Sequence, residues 1–183
     1  MKVIETKIPG VLIIEPNVFK DDRGFFMETW QQQRYADVGI NADFMQENLS
    51  FSSRGVVRGL HYQHPHAQGK LVSVIHGDVF DVAVDIRRDS ATFGQWVGVS
   101  LSGDNHRQFW VPPGFAHGFC VLSETAYFTY KCTDIYTPQA EGGIAWNDPD
   151  IGIEWPVRAA LLSDKDRQYP RLRDIDVTLL PSL

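Results

Sequence analysis

The chain has 183 residues, of which 43% are hydrophobic and 22% charged, and its formal net charge is −6. These values are typical of one folded soluble domain over residues 1–183; they exclude wholesale disorder and argue against nucleic-acid binding. No apolar run is long enough to span a membrane, and the polar residues 1–7 are unlike a signal peptide, so we expect a cytoplasmic protein with no membrane partner.

The first predicted elements are a turn and a short helix. Asp-Asp-Arg-Gly at residues 21–24 predicts the turn, and residues 31–38 predict the helix, which Gly39 would close. Helix is otherwise scarce, because only residues 161–169 have the composition for a further helical turn or two. The rest of the chain is expected to form strands and loops.

The stretch VRGLHYQ at residues 57–63 places charged groups within a predicted strand. Histidine exchanges a proton near neutral pH, and a neighbouring cation can hold negative charge. Arg58 and His61 have opposite parity, so a regular strand would send them to opposite faces. Gly59 between them predicts a bulge that would bring them to one side.

Lys70 opens the next predicted strand and shares its parity with Val72 and Val74. If the valines face the core, Lys70 also points inward, which is costly unless the amine meets a counter-charge. The alternative is a lysine at the start of a strand that extends to water. The spacing leaves both interpretations open.

Later strands show the same period of two. Residues 80–86 alternate apolar side chains with acidic or small ones, and residues 97–101 alternate apolar side chains with Gly98 and Ser100. Asp81 and Asp85 are expected on a solvent-facing side, the usual place for such charges.

Tyr130 lies on the same predicted strand face as Phe128 and Cys132. It is either a core tyrosine with a satisfied hydroxyl or a phenol inside a ligand cavity, able to donate a proton. Cys120 and Cys132, the only cysteines, are expected to be free thiols in strands.

Short strands between turns rich in Gly, Pro, Asn and Asp predict an all-β fold. A two-layer jelly roll is preferred, because its interior can hold a ligand between the sheets.

Three histidines suggest a competing metal site. His64 and His66 form an HxH pair and His117 ends the run PPGFAH, and both patterns resemble metal-binding motifs of cupins. However, no acidic residue follows His66 within four positions, and Lys70 stands there instead. A cation repels a metal ion, so we predict no metal.

Several ordered motifs together resemble the dTDP-4-dehydrorhamnose 3,5-epimerase family. They are DRGFF at 22–26, RGLHYQ at 58–63, GKLV at 69–72, GDVFDVAVDIR at 77–87, FGQW at 93–96, PGFAHGF at 113–119, WND at 146–148, IEWP at 153–156 and SDKD at 163–166. The resemblance covers nearly the whole chain. It implies a cupin-like jelly-roll barrel with a few short peripheral helices, a homodimer, and a place in dTDP-L-rhamnose biosynthesis.

The resemblance also implies roles for four catalytic residues. His61 would be the general base, with Asp166 orienting it and stabilising its charged form. Tyr130 would be the opposing acid, and Lys70 would stabilise an enolate oxygen. Spacing alone places Asp166 in a polar surface tail with no connection to His61.

The same resemblance implies a set of residues that hold a nucleotide sugar, with Arg58 near the diphosphate and Tyr136 stacked on thymine. The implied set is Arg23, Glu28, Gln46, Glu47, Asn48, Arg58, His117, Tyr136, Glu141 and Lys165.

The implied reaction is epimerisation at carbons 3 and 5 of dTDP-4-dehydro-6-deoxy-D-glucose, through an enolate and without any cofactor. Each C–H would be acidified by the neighbouring ketone, and inversion needs a base and an acid on opposite faces of the sugar. Three alternatives stay open: an epimerase acting at one carbon or a ketoisomerase on a related dTDP sugar, a metal-dependent cupin, and a non-catalytic sugar-nucleotide binding module.

Overall fold

The computed structural model describes residues 1–182, and strands dominate this part of the chain. The strands are β1 (Lys2–Glu5), β2 (Leu12–Glu15), β3 (Val18–Asp21), β4 (Gly24–Met27), β5 (Gln46–Ser53), β6 (Val57–Gln63), β7 (Lys70–His76), β8 (Asp78–Asp85), β9 (Trp96–Ser102), β10 (Gln108–Val111), β11 (Phe115–Val121), β12 (Thr125–Cys132) and β13 (Glu141–Gly143). The helix α1 spans Gln32–Ala36, and short 3₁₀ turns span Pro138–Ala140, Leu172–Asp174 and Val177–Leu179.

The strands form two antiparallel sheets and a ribbon. One sheet has the order β1-β2-β10-β7-β12-β5, the other has the order β13-β6-β11-β8-β9, and β3 pairs with β4 in the ribbon. The predicted all-β jelly roll with short peripheral helices is confirmed, although the two sheets stack as an open sandwich and do not close into a barrel.

The main core lies between the two sheets. Phe128 of β12 and Phe119 of β11 come from opposite sheets, and their rings stack with centroids 3.9 Å apart. Val72, Phe109 and Leu101 are buried in the same cluster. Each such side chain stabilises the fold by roughly 2–3 kcal/mol through burial, which fixes the sheets face to face.

The outer faces of both sheets are covered in part. The C-terminal segment packs Leu172 and Leu180 against Val82 and Val84 of β8. On the other sheet, Tyr35 of α1 packs in a separate cluster with Leu71 and Trp110. Its hydroxyl donates a hydrogen bond to the side chain of Gln108, 2.6 Å away. Strands β8, β10 and β11 are therefore buried on two sides, whereas the outer faces of β5 and β12 expose Leu49, Phe51 and Tyr127.

The predicted helix is present but shorter than residues 31–38. The Gln31 side chain accepts a hydrogen bond from the Arg34 backbone N–H, and Gly39 follows the helix at φ +94°. Residues 164–167 form the predicted turn in the C-terminal tail. No helix within residues 1–182 has the length and hydropathy needed to cross a bilayer.

The prediction that Asp81 and Asp85 face solvent is wrong, because both are 0% exposed. Their strand, β8, lies between β11 and β9, and both of its faces are covered by other parts of the chain. The alternation in residues 80–86 therefore separates two buried faces, and one of them contains carboxylates. The two cysteines are free thiols in strands, as predicted. Both are also buried, and burial raises the pKa of the Cys120 thiol to about 11.

Candidate active site

A bulge in β6 brings Arg58 and His61 to one cavity, as Gly59 predicted. His61 is opposite His117 of β11, whereas Arg58 is opposite Phe119, so three steps along β6 match two along β11. Gly59 has φ +127°, and a Cβ atom there would lie 2.6 Å from the Gly118 Cα atom. Only glycine fits this close approach of two backbones.

Asp166 holds the His61 ring. Its Oδ1 atom lies 2.6 Å from His61 Nε2, so Nδ1 is the ring nitrogen that Asp166 does not engage. Asp166 is buried, and burial raises its pKa, but the interactions with His61 and the hydrogen bonds from Ser163 and the Gly59 backbone together outweigh burial and hold the pKa below its ordinary value. A carboxylate that stays ionised beside a histidine stabilises the charged ring after the ring accepts a proton.

The cavity beside this pair has a volume of about 370 Å³ and carries charges of both signs. Its lining consists of Val56, Val57, Arg58, His61, Glu141, Leu161, Leu162, Ser163, Lys165 and Asp166. Leu161 reaches the cavity because its backbone pairs with Gly55 and Val57, which anchors the tail beside β6. The fold thus delivers Asp166 and Lys165 from a segment that is distant from His61 in sequence.

Glu141 links two further predicted residues at this cavity. It accepts a hydrogen bond from the Tyr136 hydroxyl at 2.5 Å and pairs with the Lys165 amine at 2.5 Å. Burial raises the pKa of Glu141, but the bonds from Lys165 and Tyr136 outweigh burial and lower it below its ordinary value. The carboxylate is therefore ionised and holds both partners.

Lys70 lies near Tyr130, and its amine is 5.9 Å from the centre of the Tyr130 ring. Lys70 is partly exposed as a residue, yet its amine is deep enough for burial to lower its pKa. It pairs with Cys132 across β7 and β12, and Val72 and Val74 of its strand are in the core. The inward orientation of Lys70 is therefore the correct one of the two interpretations.

Tyr130 packs against the main core next to Phe128, with ring centroids 5.8 Å apart. Burial raises the pKa of its phenol, so the group keeps its proton at neutral pH. A protonated phenol near a lysine is suited to donate a proton to a carbanion.

His117 forms a second histidine–aspartate pair next to the first. Its Nε2 atom lies 2.8 Å from Asp81 Oδ1, and both side chains are buried. Burial lowers the pKa of His117, so the ring is neutral. His117 was predicted to contact a ligand, whereas no sequence argument singled out Asp81 as its partner.

The three neighbouring predicted residues on β5 point in two directions. Gln46 donates to Asn48 at 2.9 Å and accepts a hydrogen bond from the Tyr136 backbone N–H at 2.8 Å. Glu47 pairs with Lys131 at 2.8 Å on the alternate face of the strand. The structure therefore associates Gln46 and Asn48 with the Tyr136 segment but separates Glu47 from them.

Arg23 and Glu28 are not brought to the His61 cavity within one chain. Arg23 forms an ion pair with Asp21 in the β3–β4 ribbon, and Glu28 forms one with Arg34. Neither belongs to the lining of the cavity.

Tyr169 is a residue of the site that the sequence reasoning missed. Its ring meets the His61 ring edge-on, with centroids 5.7 Å apart, and it lies flat against Gly143, where a Cβ atom would be 2.3 Å away. Tyr169 lies three residues after Asp166. The implied contact between Asp166 and His61 was therefore the one indication in the sequence that Tyr169 lies near the site.

The histidines of the competing metal site are dispersed. His66 lies 3.5 Å from Asp134, and His117 is engaged by Asp81. Across residues 1–182, no three His, Cys, Asp or Glu side chains are grouped so that they could hold a metal ion.

The all-β sandwich has the architecture of a jelly roll. One sheet carries the His61–Asp166 pair at a cavity, the facing sheet places Lys70 beside the Tyr130 phenol, and such groups suit an enzyme that performs acid–base chemistry. A family model described as dTDP-4-dehydrorhamnose 3,5-epimerase matches residues 5–174. The chain belongs to this family and is an isomerase.

Three relatives illustrate how far the similarity extends. A dTDP-4-dehydrorhamnose 3,5-epimerase from Shigella flexneri is 57% identical, over 96% of this chain and 98% of the relative. A Legionella pneumophila epimerase in complex with dTDP-4-keto-L-rhamnose has a TM-score of 0.97 and 55% identity, over 100% of this chain and 98% of that one. A Streptomyces bikiniensis 3'-monoepimerase in complex with dTDP-quinovose has a TM-score of 0.90 and 32% identity, over 97% of this chain and 91% of that one.

Proposed function

We propose that this protein converts dTDP-4-dehydro-6-deoxy-D-glucose to dTDP-4-dehydro-L-rhamnose by inverting carbons 3 and 5. The observation that carries the proposal is the His61–Asp166 pair, with its 2.6 Å contact, at a cavity also lined by Arg58 and Lys165. The Legionella relative, which binds dTDP-4-keto-L-rhamnose, supports the choice of substrate.

The first step is removal of a proton from the carbon beside the ketone. His61 accepts that proton at Nδ1, and Asp166 stabilises the resulting imidazolium through Nε2. The electron pair of the C–H bond moves to the carbonyl oxygen, which becomes an enolate. Lys70 stabilises this oxygen as a cation, and such a group contributes on the order of 10²–10³ in rate.

The second step returns a proton to the opposite face of the same carbon. Tyr130 donates it, since burial keeps the phenol protonated until it is needed. The phenolate then recovers a proton from solvent, and His61 releases the proton that it accepted. The ketone itself receives and returns the electron pair, so the proposed reaction needs neither a metal nor a redox cofactor.

The nucleotide end of the substrate is assigned to residues around the cavity mouth. Arg58 and Lys165 are the cations that pair with the diphosphate. Tyr136 is 49% exposed and stacks on thymine, while Glu141 anchors its hydroxyl. Gln46, Asn48 and His117 complete the proposed contacts within one chain, and Glu47 requires a ligand that reaches the outer face of β5.

We further propose a cytoplasmic homodimer of single-domain subunits, in which each cavity is completed by the partner. Arg23 and Glu28 lie away from His61 in their own chain, so a role in binding substrate requires the cavity of a second copy. The ribbon that carries Arg23 exposes Phe25 and Phe26, the latter by 69%, and such apolar surface is typical of an interface.

A mixed-dimer experiment tests this arrangement. Arg23→Ala and His61→Ala chains are each expected to have little activity alone. When they are co-expressed, each mixed dimer contains one intact cavity, so random pairing restores roughly a quarter of wild-type activity. No restoration, in dimers verified by sedimentation, would contradict the shared cavity.

A second candidate function is epimerisation at one carbon. The observation in its favour is the 32% identity and closely similar fold of the Streptomyces bikiniensis 3'-monoepimerase. The two candidates differ in the number of carbons that exchange a proton with solvent.

Incubation with dTDP-4-keto-6-deoxyglucose in deuterium oxide, followed by NMR, separates these functions. We expect deuterium at carbons 3 and 5, together with inversion of both. Label and inversion at carbon 3 alone would support the single-carbon alternative. Absence of label at both carbons, in protein that still binds dTDP, would exclude epimerisation by proton transfer.

A further inference from the structure

Asp81 lies in the interior of the sandwich, on the face of β8 that points toward the other sheet. Val79 and Ala83, two positions away on either side, belong to the core between the sheets. Asp81 is 0% exposed. A carboxylate in such surroundings costs free energy unless charge and hydrogen bonds compensate it.

The hydrogen bonds of Asp81 do not provide this compensation. Oδ1 contacts His117 Nε2 at 2.8 Å, but Oδ2 is buried and has no hydrogen-bond partner in the part of the chain that the structure describes. An ionised carboxylate can accept about four hydrogen bonds, so Asp81 is far from satisfied. Stability of the fold alone does not account for a carboxylate at this position.

Lys70 presents the complementary problem. Lys70 shares the core-facing side of β7 with Val72 and Val74, and burial lowers the pKa of its amine. It forms no ion pair within residues 1–182. Burial lowers the pKa of Lys70 and raises that of Asp81, and the attraction between the two groups opposes burial in each case without reversing it. The ordinary pKa of a lysine is about six units above that of an aspartate, so a proton that either Lys70 or Asp81 could hold stays on Lys70.

Other titratable groups in the described part of the chain act on Lys70 and Asp81, and none of these groups supplies a negative charge that lacks a partner of its own. Burial raises the pKa of Cys132 and Tyr130, which face Lys70 from β12, so both are neutral. Glu141 of β13 is ionised but is engaged by Lys165 and Tyr136.

The groups nearest to Asp81 are also neutral. Burial lowers the pKa of His117 on β11 and raises that of Cys120 on the same strand. Of the groups that act on Lys70, Cys132 is neutral and Glu141 is already paired with Lys165. Asp81 is therefore the carboxylate that remains to balance the charge of Lys70.

We propose that Asp81 is a positioning residue for the epimerisation: its buried charge keeps Lys70 in the ammonium form, and its Oδ1 atom orients the His117 ring. The kinetic consequence rests on the proposed function, since the ammonium is what stabilises the enolate. Without Asp81, burial would favour a neutral amine at Lys70, and the enolate would lose its cation.

Asp81→Asn tests the charge separately from the shape, because the amide keeps an oxygen for His117. We expect kcat at pH 7 to fall about tenfold or more while KM stays within about threefold. Lys70 would lose its proton at lower pH, so the alkaline limb of the kcat profile would move to lower pH. Loss of activity with an unmoved limb would contradict the proposal.

Asp85→Asn is the matched control, because Asp85 is an equally buried aspartate on the same strand that pairs with Arg87 instead. It should lower stability and leave the alkaline limb in place. A comparable shift of the limb in Asp85→Asn would show that the effect is not specific to Asp81.

A double-mutant cycle tests whether Asp81 acts through Lys70. In a Lys70→Met background, Asp81→Asn should reduce kcat by less than about twofold, because the group it supports is already absent. Equal losses in both backgrounds would overturn the proposed connection.

The protonation state of Lys70 can also be measured directly on the wild-type protein, without turnover and without an Asp81 variant that folds. NMR of isotope-labelled lysine, with the Lys70 signal assigned by its absence in Lys70→Met, should show an ammonium at pH 7. A neutral Lys70 amine at pH 7 overturns the inference even if both carbons exchange deuterium. Failure of that exchange would refute the proposed function and leave the NMR result interpretable.

Discussion

Two buried aspartates four residues apart on β8 have opposite surroundings. Asp85 accepts hydrogen bonds from Arg87 at 2.7–3.0 Å and from Ser90 and Thr92, both at 2.6 Å. Despite burial, these bonds lower the pKa of Asp85 to about 2. Within residues 1–182, Asp81 has one polar side-chain contact and an oxygen without a hydrogen-bond partner, and burial raises its pKa.

The difference shows how a fold separates structural from functional charge. The end of β8 at Asp85 meets a loop whose side chains satisfy the carboxylate, so that charge stabilises the chain. The middle of β8 at Asp81 meets the site region, where the carboxylate is left under-satisfied. Substitutions should accordingly alter turnover around Asp81 and stability around Asp85.

The largest effect is expected at the proposed base. His61→Ala should reduce kcat by about 10²–10⁴, the usual contribution of a general base. The variant also leaves the buried Asp166 carboxylate without its main partner, so the melting temperature should fall as well. Steady-state kinetics, with calorimetric binding of dTDP as the control, makes the measurement, and full turnover in this variant would remove His61 from the mechanism.

The next effect concerns Tyr130 and separates exchange from inversion. Tyr130→Phe should reduce formation of the inverted product by about 10² or more. Because His61 is intact, exchange of substrate protons with deuterium should continue. Tyr127→Phe is the matched control, since Tyr127 lies on the same strand with the opposite parity and is 43% exposed. Equal effects of both substitutions would contradict the role of Tyr130 as the acid.

On the structural side of the comparison, Asp85→Asn should lower the free energy of unfolding by about 2 kcal/mol at pH 7. The folded-state pKa of Asp85 is below its ordinary value, so its contribution is complete above about pH 4 and is lost as the pH falls toward 2. Urea unfolding of both proteins from pH 7 to pH 2 should show the two stabilities converging. A difference that is constant with pH would mean that the effect does not come from ionisation.

The smallest effect is expected at the exposed pair on the outer face of β5. Lys131→Met removes the 2.8 Å contact with Glu47 and should change the free energy of unfolding by no more than about 1 kcal/mol. Glu47 would then be free, so a change in KM for the nucleotide sugar would reveal whether it contacts substrate. An unchanged KM in Glu47→Gln would remove Glu47 from the proposed binding set.

Much of the fold follows from local sequence signals. Alternation in residues 80–86 and 97–101 predicted β8 and β9 correctly, and Gly59 predicted the bulge that aligns Arg58 with His61. The same alternation gave the wrong environment for Asp81 and Asp85, because it shows that two faces differ but not what covers each face. The C-terminal segment and the opposite sheet provide that cover.

The site was less predictable because its parts are distant in sequence. Asp166 lies 105 residues from His61, and only the family resemblance connected them before the structure showed their contact. Tyr169 and Asp81 had no local signal, since an aromatic residue in a polar tail and an acidic residue in a strand are both common. Arg23 and Glu28 lie away from His61 within one chain, and only the proposed second copy would bring them to the cavity.

The bulge in β6 also couples two positions on neighbouring strands. A Cβ atom on Gly59 would meet the Gly118 Cα atom at 2.6 Å, and one on Gly118 would meet the Arg58 carbonyl oxygen at 2.7 Å. The alternation of side chains along β6 thus shifts by one residue at the bulge, and the facing Gly59 and Gly118 leave room for this shift. A substitution at Gly59 that abolished the bulge while keeping every residue would restore regular alternation and send Arg58 and His61 to opposite faces. The location of His61 is therefore set by backbone phase as much as by residue identity.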